Sequence, residues 1–192
     1  MAFKKPKDYD DVRIGEPRIL PADGYICRIL KAEETTSSTN KPMLKVAFDI
    51  DQGEYEGYFT DLFKGWKESS EDPKSVKWPF TGTKWILFYN NEGGTNRDFK
   101  AFCTALEESG TKVWINDTFD ANGLKGGKLG IIFRREEQEY MNERKWRTVP
   151  WGFRSVETIE SGNFKVPEDK ALPPQVLTDT DSFEALDEDL PF

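Results

Sequence analysis

Met43-Leu44-Lys45-Val46-Ala47-Phe48-Asp49-Ile50 places Leu44, Val46, Phe48 and Ile50 at every second position. A period of two marks a strand with one face in a core. Upstream, Pro21-Ala22-Asp23-Gly24 reads as a turn feeding another strand from Tyr25 to about Lys31, where Tyr25, Cys27 and Ile29 alternate with Ile26, Arg28 and Leu30. The polar run from Glu33 to Lys41 is then a loop. Downstream, Asp51-Gln52-Gly53 predicts a hairpin turn into a third strand over Glu56 to Asp61.

Leu62 to Phe80 reads as irregular, with Gly65, Pro73 and Pro79 as breakers, and Trp85 to Tyr89 resumes as a buried strand. Phe99, Phe102, Cys103 and Leu106 then fall at helical spacing, with Thr95 or Asn96 as N-cap and Gly110 as a left-handed C-terminal stop. One α-helix over about 96–109 follows. Beyond the basic turn Asn122 to Lys128, Leu129 to Arg135 alternates, Glu136 to Arg144 forms a charged hairpin, and Lys145 to about Ser155 returns as the last strand. The chain is thus mainly β. Its element order fits an OB-fold-like, five-stranded, partly open barrel, with an α+β sandwich as the alternative.

The 192 residues suit one domain, read as 1–165, followed by a disordered acidic tail, 166–192. The net charge is -8, which at first argues against a phosphate-binding role. From Pro167 onward, however, eight acids face Lys170 alone, so residues 1–166 are near neutral. Two cysteines 76 positions apart and no histidine exclude a disulfide framework, thiol–imidazole zinc sites and Ser-His-Asp or Cys-His catalysis. No cofactor motif is present. Met1 to Pro6 lacks the apolar stretch of a signal peptide, so a cytoplasmic location is expected.

A surface for single strands needs cations for phosphates and exposed rings on which bases of any identity stack. Two segments carry both. The first holds Trp66, Lys67, Lys77 and Trp78; the second holds Arg134, Tyr140, Arg144, Lys145, Trp146 and Arg147. Trp85, Phe88, Phe99, Phe102 and Trp114 are assigned to the core instead. The enzymatic alternative is a magnesium nuclease with Asp49 and Asp51 as ligands and Glu143 and Lys145 in support.

The last six residues are Asp187, Glu188, Asp189, Leu190, Pro191 and Phe192. Proline keeps this end out of a helix, so Leu190 and Phe192 become apolar anchors behind three acids. This ending resembles the acidic tip of bacterial single-stranded DNA-binding proteins: three acids, an aliphatic residue, Pro and Phe. The resemblance covers the tip and the acidic linker, not the bacterial DNA-binding domain. It implies recruitment of replication, recombination and repair proteins.

The body, in Leu20-Pro-Ala-Asp-Gly-Tyr25, Lys41 to Lys45, Phe48 to Ile50 and Gly53 to Phe59, is similar to phage-encoded replication-module proteins. The expectation is a non-enzymatic, sequence-tolerant single-stranded DNA-binding protein of phage replication or recombination in an infected or lysogenic host. It would coat the strand and recruit partners through its tip. Its rival is an adaptor that docks by the tail without touching DNA. Monomer and dimer are both open.

Overall fold

A computed structural model describes residues 19–141 and 143–173. The elements are β1 (Gly24–Thr36), β2 (Pro42–Ile50), α1 (Tyr58–Ser69), β3 (Thr83–Leu87), α2 (Arg97–Glu108), β4 (Trp114–Ile115), β5 (Thr118–Phe119), β6 (Lys128–Tyr140), β7 (Glu143–Arg154) and α3 (Val156–Glu160). Five strands form one antiparallel sheet in the order β3-β2-β1-β6-β7. A separate two-stranded ribbon is made by β4 and β5. The expected mainly β class holds, but the sheet is not closed into a barrel.

One face of the sheet carries the main core, and α3 covers part of the other. Leu44, Val46, Phe48 and Ile50 of β2 point inward, as their alternation requires, and join Phe59 of α1 and Phe133 of β6 in the core. Phe48 meets Phe59 edge to face at 5.7 Å, and Tyr25 meets Phe133 likewise at 5.6 Å. From α2, Phe99, Phe102, Cys103 and Leu106 face inward, and Phe102 packs against Phe153 of β7 at 5.2 Å. The Asn96 side chain accepts from the amides of Asp98 and Phe99, and Gly110 (φ 84) ends the helical path, both as expected.

Four expectations fail. The third consecutive strand over Glu56 to Asp61 does not form; after Gly57 (φ 72) the chain enters α1, a second long helix that also takes up the start of the segment read as irregular. The loop after β1 shortens because β1 runs on to Thr36. Trp85 is not in the core: on β3 it is Thr83 and Ile86 that are buried, while Trp85 lies opposite Lys45 on the outer face and is 38 % exposed. Trp114 is also exposed rather than buried.

The strands β3 and β7 are the free edges of the sheet and share no ladder. Lys84 crosses between them, its Nζ donating to the Pro150 carbonyl at 3.0 Å. Burial pushes the Lys84 amine below the ordinary lysine range, with Asp98 and Glu136 partly opposing that shift. Past Ile132, β6 and β7 continue without β1 as a projecting two-stranded arm. Lys170 covers the edge of β6 that β1 leaves: its amide donates to Arg135 O at 2.9 Å, and Glu137 N donates to its carbonyl at 2.9 Å. The described contacts therefore continue past the expected boundary at 165.

Gly130 permits a close crossing on the sheet's other side. A Cβ there would sit 2.3 Å from Ile159 Cγ1 of α3 and 3.0 Å from the Ser155 carbonyl. No helix among the described residues is long and apolar enough to cross a membrane. The tip residues Asp187, Glu188, Asp189, Leu190, Pro191 and Phe192 lie outside the described residues.

Candidate nucleic-acid interface

The projecting arm positions its side chains by simple alternation. On one side Arg135, Glu137 and Glu139 face Thr148, Trp146 and Arg144, because the register pairs them directly. Trp146 is 42 % exposed, and the Arg135 guanidinium lies over its ring at 5.1 Å. Thr148 anchors the base of the arm by donating from Oγ1 to the Leu20 carbonyl at 2.6 Å. A ring on a pinned two-stranded arm is held at low entropic cost.

Trp146, Arg147 and Thr148 form one wall of a cleft of about 410 Å³, and Trp66 of α1 with Phe80 and Thr81 forms another part of its lining. Segments some 80 positions apart in sequence thus bring two exposed indoles to one groove, with Arg147 also in its lining. Trp66 is 46 % exposed. Phe80 also lines a second cleft, of about 590 Å³, whose cations are Lys31, Lys45 and Lys77 and whose rings are Trp78 and Trp85. Phe80 and Trp85 lie 5.2 Å apart with planes tilted by 32°. The two clefts adjoin at Phe80: the first lies between α1 and β7, and the second runs over the outer face of β1, β2 and β3.

The single acid lining the second cleft is Glu33, which pairs with Lys31 and, at 3.3 Å, with Lys45. Hydrogen bonds from Lys31 and then Lys45 hold the Glu33 carboxyl below its ordinary value. The cleft's lysines outnumber it, so an anion arriving there meets net positive charge.

The structure gathers only part of the expected set. Trp66, Trp146 and Arg147 converge in the first cleft, and Lys77 and Trp78 line the second. Trp78 is half-buried, donating from its indole to the Gly82 carbonyl at 3.0 Å and packing on Phe63 at 5.4 Å, so it serves mainly as a floor. Lys67 sits over Phe63 at 4.6 Å and lines neither cleft. Arg134 chelates Glu136 and reaches Trp151 at 5.9 Å, away from Trp146. Arg144 is held by Glu139 at 3.6 Å and donates to the Pro173 carbonyl at 2.9 Å; Lys145 pairs with Glu143 at 2.6 Å. Tyr140 stands exposed near the hairpin tip.

Lys31 and Lys45 were not singled out from the sequence, Trp85 was assigned to the core, and Phe80 closes the first ring-and-cation segment without being named as a contact. The available signal was that Lys45 and Ala47 occupy the polar positions of the β2 alternation, leaving a small, basic outer face.

The acids offered as metal ligands are committed elsewhere. Asp49 is buried; its Oδ1 accepts from the amides of Ile50 (2.8 Å) and Phe59 (2.9 Å), and its Oδ2 from the amide of Thr60 (3.0 Å) and the Thr60 hydroxyl. It is therefore the N-terminal cap of α1, delivered from β2 to the positive end of the helix. Asp51 is clamped by Arg28 at 3.0 Å and Lys128 at 2.5 Å. Among the described residues, no group of three or more His, Cys, Asp or Glu is placed to hold a metal ion.

No protein-family model matches this chain, and no curated protein matches it.

Proposed function

We propose that this chain is a sequence-tolerant single-stranded DNA-binding protein of phage replication or recombination, coating the strand with its β body and recruiting partner proteins through its C-terminal tip. The observation that carries the reading is the convergence of Trp66 and Trp146 beside Arg147 in one cleft, adjoining the Lys31, Lys45, Lys77 and Trp85 cleft through Phe80. Rings that stack on any base, alternating with cations that replace the counterions of phosphate, bind strands with little regard to sequence.

The topology supports the same reading at the level of fold. A three-strand meander, a helix, and a hairpin whose first strand returns beside β1 is the order expected of an oligonucleotide-binding barrel, here with the seam between β3 and β7 bridged by Lys84 in place of a ladder. In this reading the two clefts lie on the face that such barrels offer to oligonucleotides. The tip supports partner recruitment through its sequence alone.

The test is a titration of the full chain with a dT oligonucleotide, read by tryptophan fluorescence over a range of salt. Quenching with steeply salt-dependent affinity supports the proposal; no binding at low salt overturns it. One observation favours the adaptor instead: Arg134, Arg144 and Lys145 on the arm are already paired with acids. An adaptor would retain tail-dependent partners while showing no response to oligonucleotide.

A further inference from the structure

The two clefts above are rimmed by cations, but a third has the opposite character. It has a volume of about 390 Å³ and is lined by Phe88 and Tyr89 at the end of β3, Phe99 of α2, Trp114 of β4 and Phe119 of β5. Among the described residues, Glu34 of β1 is the one charged group that lines it. Glu34 is exposed and has no ion-pair partner among the described residues.

The rings form walls. Phe88–Phe99, Phe88–Phe119, Phe99–Phe119, Phe99–Trp114 and Trp114–Phe119 all meet edge to face, with planes inclined at 66° to 82°. The β4–β5 ribbon sets Trp114 opposite Phe119, closed by a tight turn in which Asn116 (φ 48) and Asp117 (φ 61) are both left-handed. Tyr89, 55 % exposed, and Trp114 leave the mouth open to solvent.

Ring faces carry negative electrostatic potential, and a carboxylate at the rim adds to it. Phosphate would be repelled and a cation attracted. Between the two common organic cations, guanidinium suits the box better: it is planar, stacks on rings, meets a carboxylate through two parallel N–H donors and gives up its hydration more readily than ammonium. We propose that this aromatic box is a docking site for an arginine side chain presented by a partner protein. The site differs in charge and position from the DNA clefts, and the proposal does not rest on the DNA reading.

The test uses the full chain labelled for indole N–H resonances, with the Trp114 signal assigned from Trp114→Phe. A capped Gly-Gly-Arg-Gly-Gly peptide is titrated beside its citrulline twin, which keeps the shape and loses the charge. The expected result is a saturating shift of the Trp114 signal with the arginine peptide, little with citrulline, and about two- to fivefold weaker binding to Glu34→Gln. Glu34 is exposed, so Glu34→Gln should leave the fold intact; unchanged indole signals from the other tryptophans check this. Equal shifts with both peptides would make the box a plain apolar pocket and overturn the proposal. So would no shift at millimolar peptide, or a Trp114 response to dT oligonucleotide that competes with the arginine peptide, which would assign the box to bases.

Discussion

Replacing Trp146 with alanine probes the first cleft where it is least entangled with the core. The side chain is 42 % exposed on a two-stranded arm, its close ring partner is the Arg135 guanidinium, and the core strands end short of it, so thermal stability should change little. A base stacked on an aromatic ring contributes about 1–3 kcal/mol, so Trp146→Ala should weaken dT binding about 5- to 160-fold. Trp66→Ala, from α1, should have an effect of the same size. The double variant reports the geometry: if both indoles grip one base, the combined loss falls short of the sum of the single losses, whereas separate bases give additive losses. Fluorescence anisotropy of a labelled dT oligonucleotide reads the affinities, and far-UV circular dichroism with thermal melting checks the fold. If both single variants stay within about twofold of the parent in affinity while melting normally, stacking at this cleft is refuted.

Asp49→Asn should lower stability by about 1–3 kcal/mol in urea denaturation, because it leaves buried donors at the start of α1 with poorer acceptors; an unchanged midpoint would remove Asp49 as the cap. Cys27 and Cys103 are buried, and burial pushes the Cys103 thiol up to about 12. The folded state therefore holds that proton more tightly than the unfolded chain, whose thiol titrates near 9. The resulting stabilisation is complete below pH 9 and is lost progressively as the pH rises toward 12. Cys103→Ala should flatten the fall in stability across that window, and both thiols should resist labelling at pH 8 until urea is added. Truncation after residue 173 removes Asp179, Asp181, Glu184, Asp187, Glu188 and Asp189, and should tighten oligonucleotide binding at low salt and change little at high salt. Truncation after 166 should tighten it further, because it also removes Asp169 from Arg135 and the Pro173 carbonyl from Arg144; equal affinities for all three chains would limit the tail to docking.

The strands and α2 were legible because their signals are local. A period of two in β2, a period of 3.6 in α2, the Asn96 cap and the Gly110 stop each depend on residues within a few positions of one another. The helix α1 was not legible, although Tyr58, Phe59, Leu62, Phe63 and Trp66 repeat at helical spacing. Its N-cap position is Gly57, which offers no side chain, and the capping carboxylate arrives from Asp49 on the neighbouring strand. A cap supplied through space leaves no mark at the helix start, so Gly53 and the alternation before it suggested a hairpin instead.

The amino-acid sequence by itself determined the β-rich body, the helix α2, the acidic tail with its apolar tip, and the presence of rings interleaved with cations. Only the tertiary structure decided which of those rings share a surface. Trp66, Trp146 and Arg147 line one cleft because the turn before β3 packs against β7, although the sheet order sets β3 and β7 at opposite edges, and Trp85 faces outward because its register sets it beside Lys45 rather than beside Phe48. Arg134, Arg144 and Lys145 were equally basic in sequence, yet nearby acids and the chain near Pro173 occupy them. Composition sets which chemistry a chain can offer; strand pairing, a long-range choice made by burial of the whole apolar face, sets which groups stand together.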